Sequence, residues 1–205
     1  MLYAMLKIIF QLLFRIVFRA RVIGAENLPQ QGAVILAANH MSNWDPPFLA
    51  CFMRRHVAYM AKEELFDHPV FGAAIRACHA FPVKRGAADR AAIKTAVEVL
   101  KLGHCLGLFP EGTRSRTGKM RKAEAGVGLI AALTGAPVVP AAILGTDRIF
   151  ANGGLLPRLT VIVGRPRTFT GDRRKKEELA AFSQGILDEI ARMKASVTSG
   201  TPSRA

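Results

Sequence analysis

Apolar residues fill most of positions 1 to 20, yet Tyr3, Lys7, Gln11, Arg15 and Arg19 recur every four residues. On an α-helix a step of four advances the side chain by only about 40°, so these residues form one slowly winding polar stripe on an apolar cylinder. A spanning helix needs about 20 apolar residues, whereas the longest uncharged stretch between Lys7 and Arg15 is seven and includes Gln11. Basic residues run through the segment and no Ala-x-Ala site follows it, which argues against a cleaved signal peptide. The pattern predicts an amphipathic helix over 1–20 lying in a membrane interface, with Lys7, Arg15 and Arg19 toward anionic headgroups.

Beyond residue 20 the period alternates between short apolar runs and helical repeats. Ala33–Ala38, Val57–Met60, Leu106–Phe109, Val138–Leu144 and Leu159–Val163 read as strands. Pro69–Cys78, Asp89–Leu102, Lys122–Thr134 and Lys175–Lys194 read as helices, and Gly103 ends the second of them. Strands separated by helices predict a single α/β domain over 21–196, a mixed sheet flanked by helices, with 197–205 a flexible tail. No internal repeat or low-complexity tract interrupts it.

Composition narrows the partners. The 205 residues hold 29 Lys and Arg against 15 Asp and Glu, a net charge of +14 with half the residues hydrophobic. Such a chain has a core and favours anionic partners: nucleic acid, lipid headgroups or acidic carrier proteins. Trp44 is the single Trp, Tyr occurs twice, and no zinc-finger spacing is present, so nucleic acid is set aside. Arg114, Arg116, Lys119, Arg121 and Lys122 form one basic cluster, and Arg173–Lys176 a second that reads as a solvated face. Cys51, Cys78 and Cys105 lie in apolar surroundings and read as reduced core thiols.

Two segments carry chemistry. Asn39-His40-Met41-Ser42-Asn43-Trp44-Asp45 sets an imidazole and a carboxylate five positions apart. On a helix they would point about 140° apart, so pairing them needs a loop, and Pro46-Pro47 supplies a loop-to-helix junction at Asp45. Asp45 accepting from Nδ1–H would leave Nε2 to deprotonate a substrate hydroxyl. Phe109-Pro110-Glu111-Gly112-Thr113-Arg114-Ser115 follows the strand Leu106–Phe109. There Arg offers a fork matching phosphate, and Gly lets backbone N–H groups approach an anion.

Two near-motifs fail on context. Gly103-His104-Cys105-Leu106-Gly107 has the form of a nucleophile elbow, but a helix precedes it and a strand follows, the reverse of what an elbow needs. Gly112 to Lys119 lacks the spacing and the terminal Ser or Thr of a P-loop, since Met120 stands there. His56, His68, His79 and His104 lack ligand spacing, so no metal site is expected.

Together the His40/Asp45 and Phe109–Ser115 segments resemble the glycerophospholipid acyltransferase family, whose signature is Asn-His-x-x-x-x-Asp followed downstream by Phe-Pro-Glu-Gly-Thr-Arg-Ser. Both are complete here. Phe81-Pro82-Val83-Lys84-Arg85-Gly86 is similar to the family's intervening phosphate-binding block, and Ala136–Ile143 to its later proline-containing strand, so the resemblance covers residues 20 to 165. Lys84 and Arg85 are both placed for the phosphate role; Arg85 is favoured by position and fork geometry.

The resemblance implies a membrane-associated O-acyltransferase, peripheral or monotopic on the cytoplasmic face of the cell membrane. It would move a fatty acyl group from acyl-CoA or acyl carrier protein to 1-acylglycerol 3-phosphate (lysophosphatidic acid), giving phosphatidic acid for phospholipid biosynthesis. No resident cofactor is implied, since the thioester is a co-substrate. By the same resemblance His40 is the base and Asp45 its orienter, Arg85 and Arg114 hold the phosphate, Gly112 and Thr113 line it, and Glu111 orients the set. Other lysophospholipids, ornithine-type lipids and glycerol 3-phosphate share this chemistry as acceptors. A non-catalytic membrane-binding module is the reading from a different class, and it would not require His40 and Asp45 together.

Overall fold

The structure, a computed structural model, describes residues 2–77, 80–83, 90–115, 120–150 and 156–198. Seven strands make one mixed sheet: β1 (Arg21–Ile23), β2 (Val34–Ala38), β3 (Val57–Lys62), β4 (Ala80–Val83), β5 (Cys105–Leu108), β6 (Val138–Leu144) and β7 (Thr160–Val163). Their order is β1-β7-β6-β2-β5-β3-β4. Among the strands of the described residues, only the β6–β7 pair is antiparallel. β2 and β5 are buried along their whole length, as central strands covered by helices on both faces must be.

Alternate residues of each strand enter two separate cores. Val34, Leu36 and Ala38 join Phe48, Leu49 and Phe52 of α2 (Asp45–Phe52) under the N-terminal helix. Ile35 and Ala37 face α4 (Arg90–Lys101), α5 (Gly126–Thr134) and α6 (Lys176–Thr198), where Leu100, Ile130, Ile186 and Ile190 are buried. The remaining helix, α3 (Pro69–Ala77), joins β3 to β4.

This arrangement opens the sheet at one point. α2 leaves β2 over one face and leads right to β3, while α5 leaves β5 over the other face and leads left to β6. The loops that follow the adjacent strands β2 and β5 therefore diverge at their carboxyl ends, the place where open α/β sheets form their crevice.

α1 (Leu2–Leu12) continues into a π-helical turn at Leu13–Val17. Phe14 and Phe18 are fully buried there; Phe14 packs edge-on to Phe48 at 5.1 Å between ring centres. Losing such an aromatic costs about 3–5 kcal/mol, so the N-terminal segment belongs to the fold as well as to its surface. Its polar stripe is divided, contrary to the expected outward display. Lys7 Nζ donates to Met53 O at 2.7 Å and Gln11 Nε2 to Cys51 O at 2.6 Å. Both satisfy carbonyls that α2 leaves unpaired at its carboxyl end. Arg15 and Arg19 are exposed; Arg15 lies over the Phe52 ring and Arg19 donates to Leu156 O. The outward face is apolar instead, with Met5, Ile8, Ile9, Leu12 and Ile16 each more than half exposed. No helix among the described residues is long and apolar enough to cross a membrane.

Cys105 opens β5 inside the core, and burial pushes its thiol up to about 12, so it is no nucleophile. On the neighbouring strand Tyr59 pairs with Gly107, and a Cβ at Gly107 would lie 2.2 Å from the Tyr59 ring. The Tyr59 hydroxyl is buried with no hydrogen-bond partner among the described residues. Because an orphaned buried hydroxyl costs about 1–3 kcal/mol, Tyr59→Phe is expected to melt at the wild-type temperature or above it. A clear drop in the melting midpoint would show that the hydroxyl has a partner.

Candidate active site

The carboxyl ends of three adjacent parallel strands, β6, β2 and β5, supply the site. Asn39 and His40 directly follow β2. Asn39 forms a two-way clamp on β6: its Nδ2 donates to Ile143 O at 2.9 Å, and its Oδ1 accepts from Ile143 N–H at 2.7 Å. The chain then turns, and Pro46 and Pro47 in the first turn of α2 set Asp45 at the helix start.

His40 and Asp45 meet as their spacing predicts. His40 Nδ1 lies 2.9 Å from Asp45 Oδ2. That oxygen also accepts from the N–H groups of Met41 at 2.6 Å and Ser42 at 2.8 Å. Oδ1 accepts from the Thr146 hydroxyl at 2.5 Å. Asp45 is fully buried and so is Thr146. Four donors converge on this carboxylate and fix its orientation. With the carboxylate oxygen accepting in this contact, Nδ1–H donates to it and Nε2 presents a lone pair. The imidazole stacks on Phe109 at 4.0 Å and 18°, which fixes the ring plane and restricts water.

The second motif grips the first through the His40 backbone. Glu111 Oε1 accepts from His40 N–H at 3.0 Å, and Ser115 N–H donates to His40 O at 2.9 Å. Glu111 Oε2 accepts from Arg121 N–H at 2.9 Å. Glu111 is buried; its carboxylate joins the loop after β5, the loop after β2 and the chain entering α5. Glu111, expected to orient the phosphate-holding set, is seen to hold the His40 backbone. Gly112 has φ 67°, and a Cβ there would lie 2.3 Å from a Glu124 carboxylate oxygen, so no other residue fits the turn without displacing Glu124. Thr113 is half-buried and Arg114 exposed at the outer edge of this loop. Arg85, with its neighbour Lys84, lies outside the described residues, as do Arg116 and Lys119.

Sequence reasoning missed Thr146, which lies 101 positions from Asp45 and follows β6 after Gly145 in no recognisable motif. It also gave no role to Asn39 or to the Phe109 ring, although both stand inside the quoted segments. Among the described residues no group of three or more His, Cys, Asp or Glu is placed to hold a metal ion.

An imidazole oriented by a buried carboxylate suits transfer to a substrate's own hydroxyl. The comparisons agree: the family model described as Acyltransferase matches residues 19–144, which hold both motifs. The chain belongs to this acyltransferase family. It is similar to the 1-acyl-sn-glycerol-3-phosphate acyltransferase of Bacillus subtilis, 32% identical over 176 residues, which are 83% of this chain and 85% of that one. The protein of the same name from Streptococcus pneumoniae is 33% identical over 200 residues, 94% of this chain and 73% of that one. Among solved structures, the 1-acyl-sn-glycerophosphate (LPA) acyltransferase PlsC from Thermotoga maritima superposes with a TM-score of 0.74 at 29% identity, covering 94% of this chain and 80% of that one.

Proposed function

We propose that this acyltransferase moves a fatty acyl group from a thioester to the free hydroxyl of 1-acyl-sn-glycerol 3-phosphate, giving phosphatidic acid, while seated on a membrane surface. The observation that carries the reading is the His40 imidazole held at Nδ1 by Asp45 and at its backbone by Glu111 and Ser115. The names of its relatives support the acceptor. His40 Nε2 takes the hydroxyl proton as the oxygen attacks the thioester carbonyl. The C–S bond then breaks, and the sulfur leaves with the proton returned by the imidazolium. No acyl-enzyme forms and no resident cofactor is needed, with acyl-CoA or acyl carrier protein as co-substrate.

Arg114, with Arg85, would hold the acceptor phosphate at the loop lined by Gly112 and Thr113. Turnover of purified protein in detergent, with several acceptors offered against both thioesters, tests the substrate. Lysophosphatidic acid should be preferred to glycerol 3-phosphate and to lysophospholipids with a substituted phosphate; the opposite ranking would remove the proposed acceptor. Arg114→Ala should lower kcat/KM for the acceptor by the equivalent of about 1.5–3 kcal/mol, the scale of one charge-assisted hydrogen bond. A defect confined to the donor would move the phosphate site elsewhere.

The membrane reading rests on the outward apolar face of α1. Met5, Ile8, Ile9, Leu12 and Ile16 are a contiguous surface that water does not favour, and the exposed Arg15 and Arg19 flank it toward anionic headgroups. Deleting the helix would also remove Phe14 and Phe18 from the core, so the cleaner test replaces Ile8, Ile9, Leu12 and Ile16 together by Ser. Burial of each such side chain is worth about 1.5–3 kcal/mol at most. Vesicle partition should therefore fall by well over ~10²-fold even if half of that is realised. Unchanged co-sedimentation would place the membrane surface on another face.

A further inference from the structure

The inner side of α1 carries a feature that the reaction does not use. A cleft of about 410 Å³ runs between α1 and the residue before β3, lined by Tyr3, Ala4, Lys7, Ile8, Gln11 and His56. That volume is in the range that holds a lipid headgroup or a small ligand. The Tyr3 ring packs on the His56 imidazole at 4.1 Å between centres, and Lys7 Nζ lies 6.0 Å from the centre of the same Tyr3 ring.

Lys7 is half-buried here. An ammonium has three donors, and in this cleft Met53 O takes one at 2.7 Å. No carboxylate among the described residues pairs with it. Burial, the largest influence on the group, pushes its pKa below the ordinary lysine range, as expected for a cation without an anionic partner. Ile8 lines the same cleft and is 57% exposed in the apolar row that faces outward. One wall of the cleft is thus continuous with the surface assigned to the membrane.

We propose that this cleft holds the headgroup phosphate of one anionic phospholipid, with Lys7 as its charge partner and Ala4 and Ile8 against the upper part of an acyl chain. The proposal rests on the membrane reading given above and specifies a discrete site within it. An ammonium with no carboxylate partner among the described residues, lining a mainly apolar cleft, selects a ligand with an anion next to hydrocarbon. A free inorganic anion would leave Ala4 and Ile8 uncovered. Exposed Arg15 and Arg19 contribute a different, diffuse attraction that salt screens.

Salt separates the two terms. At an ionic strength of about 1 M the Debye length is only ~3 Å, so surface charge no longer attracts a membrane. Co-sedimentation with phosphatidylcholine vesicles, with and without phosphatidylglycerol, should then still show about a tenfold preference for the anionic vesicles, the scale of one charge-assisted contact. Arg15→Gln should keep that preference and Lys7→Arg should keep part of it. Lys7→Met should lose it. Ile8→Trp, which fills the cleft from an exposed position and leaves the charge in place, should lose it too. A preference that vanishes with salt in the wild type, or that survives in both Lys7→Met and Ile8→Trp, overturns the site. Inorganic phosphate in excess that abolishes the preference on its own would assign the cleft to free anions and also overturn it. Failure of the wild type to bind either vesicle would instead remove the membrane reading, and the cleft proposal with it.

Discussion

His40→Ala is expected to leave a folded protein whose acyl transfer is slower by about 10²–10⁴-fold, the range for loss of a general base. Its fold should survive because the loop does not depend on the imidazole. His40 N–H still reaches Glu111, its carbonyl still accepts from Ser115, and Asp45 keeps the donors of Met41, Ser42 and Thr146. The Nδ1–H bond to Asp45 and the stack on Phe109 are lost. Turnover and thermal melting of the same preparation read the two properties separately. More than roughly a tenth of wild-type turnover would remove the base assignment, and a collapse in melting temperature would make the ring structural.

Glu111 shows why the two motifs have to occur together. The parallel register of β2 and β5, Val34 opposite Cys105 through Ala37 opposite Leu108, brings the loops after them side by side. A buried carboxylate in one loop then accepts the His40 N–H of the other. The loop after β5 and the His40–Asp45 pair are therefore one mechanical unit.

The central strands and the His40–Asp45 pair are legible in the sequence for identifiable reasons. β6 was read with its observed ends, Val138–Leu144, because its apolar run is bounded by Gly135 and Gly145. The pairing of His40 with Asp45 is legible because Pro46-Pro47 disfavours one continuous helix through both. The expected helix start at Lys122 fails because Glu124 N–H donates to Pro110 O rather than within the helix; α5 begins at Gly126. β1 is only three residues at a sheet edge, held by its pairing with β7, and it leaves almost no local signal. Phe81 to Val83, read as the front of a phosphate block, also forms β4 against β3.

The N-terminal stripe shows a different limit. A period of four identifies which side chains share a face, and Tyr3, Lys7 and Gln11 do share one. The period does not say what that face meets. The open carbonyls of Cys51 and Met53 at the end of α2 draw the polar face inward, and that contact depends on chain folded 40 and 46 positions away. Thr146 was invisible for the same reason: its partner is fixed by sheet order, and local sequence carries no trace of it.

Asp45→Asn and Asp45→Ala should separate charge from architecture at this carboxylate. In Asp45→Asn the amide oxygen takes the position that accepts from His40 Nδ1–H, Met41 N–H and Ser42 N–H, and the amide nitrogen faces Thr146. The Thr146 hydroxyl accepts as readily as it donates, so every bond survives with the charge removed. Melting should stay close to wild type, while turnover falls by about 10²–10⁴-fold, because the imidazolium formed in the transition state loses its counter-charge and tautomer control weakens. Asp45→Ala removes the acceptor altogether. It strands the Met41 and Ser42 N–H groups and the Thr146 hydroxyl at a fully buried position, each at about 1–3 kcal/mol. That variant should lose several kcal/mol of stability as well as turnover. Near-normal activity in Asp45→Asn would show that orientation alone suffices and charge does not contribute. Equal melting of Asp45→Ala and wild type would show that the loop after β2 is held by Asn39 and Glu111 without Asp45.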